Sequence, residues 1–270
     1  MRKLILRLTG STTIRKAVKF LRLHLLVNWW LRRFPVVKTL PGSGIRYRAR
    51  RVESLALSVE MFDKGALYSI PDMPEVIRTF ADLGCNVGYF TCWLCHQLKS
   101  TQLKGLMADA NADAVEEAQW HVTTNNLRNV HVLHGLVGTR GKGGQASFFV
   151  HTSNVCSTAA PLDVSLGEAN TWTQVQVPCV SIEENWRKHF GNEACDLLKI
   201  DIEGSEMDFF RNETDFLRRV KMILIEWHKW RVSLGEIEEF LSKEGFSLKS
   251  ILHEDAGLGT AIFARKSAVS

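Results

Sequence analysis

The sequence predicts an α/β fold: a mostly parallel twisted sheet, with helices on both faces, that is closed by an antiparallel hairpin near the C-terminus. Three observations predict it. From Thr79 onward, short apolar runs alternate with helical patterns, as in βαβ units. A turn containing Gly84 and Gly88 follows the first of these runs, where ligands bind in such sheets. The last two apolar runs are joined too closely for a crossover helix, so they should pair antiparallel.

The elements follow in order along the chain. Residues 41–44, Pro-Gly-Ser-Gly, predict a linker, and residues 45–57 predict one or two short strands. Pro71 and Pro74 predict a turn. The strands predicted after this turn are residues 79–83, 103–108, 130–137, 145–150, 173–180, 196–200, 221–226, 246–252 and 260–264. The predicted helices are residues 89–98, 112–126, 181–190, 205–218 and 236–244.

Composition limits the class of protein. The chain has 270 residues, of which 45% are hydrophobic and 23% charged, so it is a globular protein with one large domain rather than a disordered chain. Six Cys are too few for a disulfide scaffold, which favours a reducing, cytoplasmic location. Residues 1–52 carry 14 Lys or Arg and no acid, leaving 20 basic and 29 acidic residues in the remainder. This split argues against a nucleic-acid partner and predicts two parts, a basic amphipathic segment at 1–52 and a domain at 53–270.

The basic segment permits several interpretations. Residues 14–34 have helical spacing, with Arg15, Lys19 and Arg22 on one side and Trp29 near the end. Its longest run without Lys or Arg, residues 23–31, is too short to cross a bilayer, and no secretory cleavage site follows. The segment could lie peripherally on a membrane surface, pack on its own domain, or be an organellar transit peptide.

The turn between the first strand and its helix predicts a nucleoside site. Gly84 and Gly88 allow close approach of a ligand, Asp82 ends the strand, and Asn86 lies within the turn. Asp109 ends the second strand, where an acid can accept both ribose hydroxyls. The turn lacks the third glycine of the pyrophosphate fingerprint, which favours a nucleoside without a pyrophosphate, such as S-adenosylmethionine. In that interpretation Asp109 takes the ribose and the Asp82 region takes the methionine amine.

Two segments make the chain resemble the FkbM family of S-adenosylmethionine-dependent methyltransferases. Residues 81–91, Ala-Asp-Leu-Gly-Cys-Asn-Val-Gly-Tyr-Phe-Thr, are similar to the family's Asp-x-Gly-Ala-Asn-x-Gly signature. Residues 198–206, Leu-Lys-Ile-Asp-Ile-Glu-Gly-Ser-Glu, resemble its more specific Lys-Ile-Asp-x-Glu-Gly-x-Glu motif, and residues 225–228 match a weaker third block. The resemblance spans about residues 53–265. Cys85 replaces the usual Ala, and Asp109 stands where the family usually shows a Glu-Pro pair.

The resemblance implies a Rossmann-like class I methyltransferase fold and methyl transfer from S-adenosylmethionine to a hydroxyl of a small molecule or saccharide. Asp201 or Glu203 would orient the acceptor or act as general base, with His228 as the second choice. Glu226 should converge on the same rim, and Lys199 could keep a carboxylate ionised. The Glu203 segment also has the acids typical of a helix start. Alternatives are transfer to nitrogen or to a carboxylate, and a non-catalytic binding protein of this fold at a membrane.

No metal site is predicted. Asp201, Glu203 and Glu226 could ligate Mg²⁺, but sequence spacing alone does not support such a site. The pair Cys92 and Cys95 lies one turn apart on a predicted helix without a second pair, so packing is the expected role.

Among the aromatic residues, Trp93 and Trp120 are expected in the core. Three others, Trp186, Trp227 and Trp230, could border the acceptor pocket. The residues His121, His131 and His134 are expected to have no ligand role.

Overall fold

The computed structural model describes residues 23–63, 76–138, 144–151 and 172–266. Within these ranges, no helix combines the length and apolar character needed to cross a bilayer. Two expectations lie outside the described residues: the start of the basic helix before Leu23, and the turn at Pro71 and Pro74.

A seven-stranded mixed sheet forms the centre of the molecule, as predicted. Its strands in chain order are β3 (Thr79–Leu83), β4 (Lys104–Asp109), β5 (Val130–His134), β8 (Cys195–Ile200), β9 (Val220–His228), β10 (Phe246–Glu254) and β11 (Leu258–Arg265). Across the sheet the order is β10-β11-β9-β8-β3-β4-β5. The five strands from β9 to β5 are parallel, whereas β11 pairs antiparallel with both β9 and β10. The predicted α/β fold with an antiparallel C-terminal hairpin is therefore confirmed.

Two small hairpins lie outside this sheet: β1 (Val36–Thr39) with β2 (Arg46–Ala49), and β6 (Gln145–His151) with β7 (Trp172–Pro178). The helices are α1 (Leu23–Arg33), α2 (Val52–Ser58), α3 (Tyr89–Gln97), α4 (Ala112–Thr124), α5 (Ile182–Phe190), α6 (Glu206–Asn212), α7 (Thr214–Leu217) and α8 (Leu234–Lys243). A π-helical turn at Val59–Asp63 continues α2.

The core lies on both faces of the sheet because successive residues of a strand point to opposite sides. Phe80 of β3 packs on one face with α3 and α4, while Ala81 and Leu83 pack on the other with α5, α6 and α8. All five residues of β3 are buried, as expected of a parallel strand that is covered on both faces.

The N-terminal predictions were partly wrong. The Pro-Gly-Ser-Gly stretch is not a linker: it is the turn between β1 and β2, where Gly42 and Gly44 both have positive φ. Only residues 46–49 of the predicted strand region form a strand, and residues 52–58 form α2. A short apolar run is compatible with either structure, and here Leu55 and Ser58 are buried at helical spacing. The boundary after residue 52 stays a prediction.

The predicted helix 205–218 is divided into α6 and α7 at Glu213. The Glu213 carboxylate accepts hydrogen bonds from the backbone N–H groups of Ile182 and Glu183, both at 3.0 Å. It thereby satisfies donors at the start of α5, which the helix itself cannot pair. The backbone of Glu213 leaves the helical region, with φ −119° and ψ 36°, where it performs this role.

Candidate functional site

The candidate site lies at the carboxyl ends of four neighbouring strands, β9, β8, β3 and β4. The crossover direction changes between β3 and β8, and this is the point at which doubly wound sheets bind ligands. A cavity of about 200 Å³ opens there. Its lining includes these residues of the strand ends and the turns that follow them: Gly84, Cys85, Asn86, Asp109, Asn111, Lys199, Asp201, Glu203 and Glu226.

The turn after β3 requires glycine because the backbone after β8 lies against it. Gly84 has φ +68°, and a Cβ at this position would lie 1.6 Å from the Asp201 carbonyl oxygen. The Gly84 and Cys85 N–H groups donate to the Ala108 carbonyl at 2.9 and 3.0 Å, which ties the turn to β4. Gly88 also has positive φ, and a Cβ there would lie 2.8 Å from Met107 Cε. The turn therefore has a fixed position relative to β4 and β8.

Asp109 joins the turn to the end of β4. Its two oxygens accept the backbone N–H groups of Asn86 and Asn111, each at 2.8 Å. Burial raises the pKa of the Asp109 carboxyl, although these two hydrogen bonds favour its ionised form. A carboxylate has about four acceptor positions, so hydroxyl groups of a ligand can still bind it. Asn86 contributes mainly its backbone, with φ +48°.

Asp82 lies beneath the cavity rather than on its wall. It is fully buried; Oδ2 accepts from the Thr91 hydroxyl at 2.9 Å, and Oδ1 lies 3.6 Å from Lys199 Nζ. Burial raises the Asp82 pKa, and Lys199 opposes this shift. The Lys199 ammonium also donates to the Gly84 carbonyl at 2.8 Å and lies 3.4 Å from Asp201 Oδ2. The structure thus places Asp82 and Lys199 in the support of the turn, with Lys199 also reaching the cavity.

His228 is held between two carboxylates. Its Nδ1 lies 3.1 Å from Glu206 Oε1, and its Nε2 lies 3.2 Å from Glu203 Oε2. Burial alone would lower the His228 pKa, but hydrogen bonds to Glu203 and Glu206 outweigh it and raise the pKa to about 11. The two carboxylates therefore favour the imidazolium form of the ring, in which both nitrogens are engaged. It cannot take a proton from an acceptor in this state, which argues against His228 as the base.

Glu226 is a carboxylate of the cavity wall whose acidity is weakened. The charge of Asp201, followed by burial, raises the Glu226 pKa to about 8. The positive charges of Lys199 and His228 oppose this shift but do not cancel it. A group that titrates near neutrality can both accept and release a proton under ordinary conditions.

Sequence reasoning missed two parts of the site. Glu206 is fully buried and positions His228, yet it was noted only as the last residue of a motif. Leu57 and Met61 also line the cavity, from α2 and the π-helical turn. No sequence signal brings these two residues to the site, because their segment precedes β3 and contacts the cavity only through the tertiary fold.

The aromatic and cysteine predictions have mixed outcomes. Trp186 and Trp227 are fully buried in the core and do not line the cavity, so their expected place at the acceptor pocket was wrong. Trp230 is 38% exposed, and its ring lies over Gly204, next to the His228 ring. Cys92 and Cys95 are buried in the core as predicted.

One group of the described residues has the spacing of metal ligands. One ligand atom from each of Asp201, Glu203 and His228 lies within 4.8 Å of the others. Metal binding by His228 would require removal of a proton that Glu203 and Glu206 stabilise. The contact between Glu203 and His228 accounts for part of this arrangement, and the Asp201 side chain lies against Lys199.

The residues present fit a cationic nucleoside. A glycine turn with no room for a side chain lies beside Asp109, and Asp201, Glu203 and Glu226 line the same cavity. The described acids outnumber the nearby cations Lys199 and His228, so a positively charged ligand is favoured over an anionic phosphate. The fold and this site define a Rossmann-like α/β protein of the nucleoside-binding class.

The family follows from comparison with known sequences. The model of the methyltransferase FkbM domain matches residues 57–248, and the chain belongs to this family. The resemblance inferred from the two motifs is therefore confirmed. No curated protein sequence matches the chain.

Solved structures with similar folds are distant in sequence. M. capricolum TrmK in complex with S-adenosyl-homocysteine is 12% identical, with a TM-score of 0.42 over 70% of this chain and 62% of that one. NcsB1, an O-methyltransferase from neocarzinostatin biosynthesis solved with S-adenosylmethionine and 2-hydroxy-5-methyl naphthoic acid, is 11% identical, with a TM-score of 0.43 over 79% and 56%. A methyltransferase from Aquifex aeolicus is 13% identical, with a TM-score of 0.42 over 77% and 93%. The chain spans less than two thirds of the first two proteins.

Proposed function

We propose that this protein transfers a methyl group from S-adenosylmethionine to a hydroxyl oxygen of a small molecule. The observation that carries the proposal is the composition of one cavity. The glycine turn with Asp109 lines this cavity, and so do the acids Asp201, Glu203 and Glu226. A nucleoside-binding element and proton-accepting groups thus face the same space, as methyl transfer to a hydroxyl requires.

The turn and Asp109 would hold the cofactor. Gly84 permits close approach, Asn86 shapes the turn, and Asp109 accepts the ribose hydroxyls. When bound, S-adenosylmethionine supplies an electrophilic methyl group on a sulfonium. The surrounding carboxylates favour this positive charge. Asp82 and Lys199 would act by keeping the turn in place.

Glu226 is the proposed general base. A hydroxyl acceptor must lose its proton at about the time that its oxygen attacks, and a base serves best when its pKa lies near the working pH. The Glu226 pKa of about 8 meets this condition, whereas His228 is already protonated. Asp201 keeps the Glu226 pKa high, and Glu203 is held towards His228. These two acids would orient the acceptor hydroxyl.

The acceptor would be a small ring-shaped molecule such as a saccharide. Trp230 offers a partly exposed aromatic ring beside Gly204 and His228. An aromatic face next to carboxylates suits a sugar ring, which has apolar C–H faces and hydroxyl edges.

Incubation of the purified chain with isotopically labelled S-adenosylmethionine and a panel of acceptors tests the proposal. The panel carries free sugars, phenols, amines and carboxylic acids, and mass spectrometry locates the new methyl group. We expect labelled methyl ethers from the hydroxyl compounds. Methylation of amines or carboxylates alone would contradict the oxygen assignment. Lack of saturable cofactor binding would instead indicate a non-catalytic protein.

Asp201→Asn separates catalysis from cofactor binding. The substitution removes a carboxylate that would orient the acceptor hydroxyl, so turnover should fall by about 100-fold or more. Binding of S-adenosylhomocysteine, measured by calorimetry, should remain. Asp208→Asn on the exposed side of α6 is the matched control and should behave as the parent protein. Near-normal turnover of Asp201→Asn would refute its assigned role.

A further inference from the structure

Helix α1 presents apolar side chains on two opposite sides. On the inner side Leu31 is fully buried, and the Asn28 side-chain oxygen accepts the Val52 N–H at 2.8 Å. On the outer side Leu25, Leu26 and Trp29 are 55%, 65% and 68% exposed. At 3.6 residues per turn these three occupy about a third of the circumference, opposite Leu31. The helix is therefore attached to the domain by one face and leaves a second apolar face uncovered by the described residues.

The outer face is the main concentration of exposed apolar side chains in the described part of the chain. Seven large hydrophobic residues are exposed in the described part of the chain. Four of them lie within residues 25–34: Leu25, Leu26, Trp29 and Phe34. The other three, Val76, Trp230 and Ile251, are scattered over the molecule. Scattered exposed residues need no explanation, whereas a contiguous patch marks an interaction surface.

The charge around this face indicates what it contacts. Residues 1–52 hold 14 Lys or Arg and no Asp or Glu, and seven of these cations lie in the 22 residues before α1. Arg32 and Arg33 end the helix itself. Trp, Phe and Leu next to many cations, in a helix without the length to cross a bilayer, are typical of helices that lie in the interface of anionic membranes.

We propose that the outer face of α1 binds the surface of an anionic phospholipid membrane. Leu25, Leu26 and Trp29, together with Phe34 just after the helix, enter the boundary between headgroups and acyl chains. Arg33 and the Lys and Arg residues of the first 22 positions contact lipid phosphates, whereas Arg48, Arg50 and Arg51 are paired with acids of the domain. The buried Leu31 and the ion pair of Arg32 with Asp113, at 3.1 Å, connect the helix to the catalytic domain. The domain is then held at the membrane as one body. This inference does not depend on methyl transfer.

Flotation of the full chain with lipid vesicles tests the proposal. One set of vesicles is phosphatidylcholine alone, and the other contains phosphatidylserine as well. We expect flotation with the anionic vesicles, weakened by high salt because the lipid–protein charges are screened. The double variant Leu26→Ser/Trp29→Ser should bind at least about tenfold more weakly. The control Val76→Ser/Ile251→Ser removes two exposed apolar residues elsewhere and should float as the parent does.

Phe34→Ser is a second, independent variant and should weaken binding several-fold. The proposal is overturned if the parent chain fails to float with anionic vesicles, or if the double variant floats equally well. It is also overturned if light scattering shows a dimer that the double variant dissociates, because a second copy then covers the face. A double variant that floats like the parent but melts at a much lower temperature would also contradict the proposal. It would mean that another part of this chain, such as residues 1–22, covers the outer face of α1.

Discussion

Glu226 and His228 lie two residues apart at the end of β9, yet their surroundings give them opposite properties. Asp201 and burial raise the Glu226 pKa to about 8, so this acid holds its proton unusually well. Glu203 and Glu206 raise the His228 pKa to about 11, so the imidazole keeps its positive charge. The acid is thus the group that exchanges a proton near neutral pH, and the histidine acts as a fixed cation.

Turnover should therefore depend on pH through Glu226. Below its pKa of about 8 the rate should rise about tenfold per pH unit, and above it the rate should level. Glu226→Gln should abolish this rise and nearly all turnover. The measurement is kcat/KM at about ten pH values between about pH 6 and pH 9. An unchanged profile in the variant would assign the base to another residue.

The same substitution should stabilise the ligand-free protein at high pH. The Glu226 pKa is about 8 when folded and near 4.5 when unfolded, so ionisation favours the unfolded chain and stability falls as pH rises between these values. Glu226→Gln removes that loss, and should raise the free energy of unfolding at pH 9 by at most about 5 kcal/mol. Urea unfolding at pH 5 and pH 9 measures the difference.

At the level of single residues, position in the chain predicted much of the site. Asp109, Asp201 and Glu226 come at strand ends, and strand ends of a parallel sheet meet at one edge. Their partners were not predictable, because partner choice depends on side-chain conformation. Nothing in the sequence shows that the Glu206 side chain contacts His228. Nor does it show that the Asp82 side chain lies beneath the glycine turn, in contact with Thr91.

Among the elements, the turn from β3 to α3 has the strictest requirement. Gly84→Ala would place a methyl group 1.6 Å from the Asp201 carbonyl at a positive φ. We expect a loss of more than about 3 kcal/mol in the free energy of unfolding, since the ends of β3 and β8 must separate. Chemical denaturation measures it.

Gly235→Ala is the matched control for Gly84→Ala. Gly235 lies in the first turn of α8, and a Cβ there meets nothing within 4 Å. Alanine favours the helix, so this variant should be more stable by about 0.5–1 kcal/mol. Equal effects of the two substitutions would mean that the contact between the turn and Asp201 has no special importance.

The elements of the sheet were predictable because buried parallel strands are short apolar runs between helical patterns. Errors occurred where tertiary contacts decide the structure. Residues 52–58 form α2 because Leu55 and Ser58 pack at helical spacing, and the long helix after Ser205 divides where Glu213 serves the start of α5. Both outcomes depend on partners that are distant in the sequence.

The whole molecule brings together segments that are far apart in the chain, and a ligand at their junction should stabilise all of it. S-adenosylhomocysteine at about 100 times its Kd should raise the free energy of unfolding by about 2.7 kcal/mol, or the melting temperature by about 5–10 °C. NAD should give no shift, because the turn lacks the pyrophosphate fingerprint. Scanning calorimetry measures both.

Asp109→Ala should remove most of this thermal shift, since Asp109 lines the cavity and fixes Asn86. Asp208→Asn, at an exposed acid in the first turn of α6, is the control and should keep it. A full shift in Asp109→Ala would place the nucleoside elsewhere.

In the sheet, β8 lies between β3 and β9, and this topology affects the chain while it is being synthesised. The edge of β3 that will receive β8 leaves the ribosome more than a hundred residues before its partner does, as the Asp82–Lys199 pairing shows. An apolar strand with unpaired backbone groups is prone to aggregate with other chains. Translation that stalls before residue 195 should therefore leave a nascent chain that needs chaperones to remain in solution.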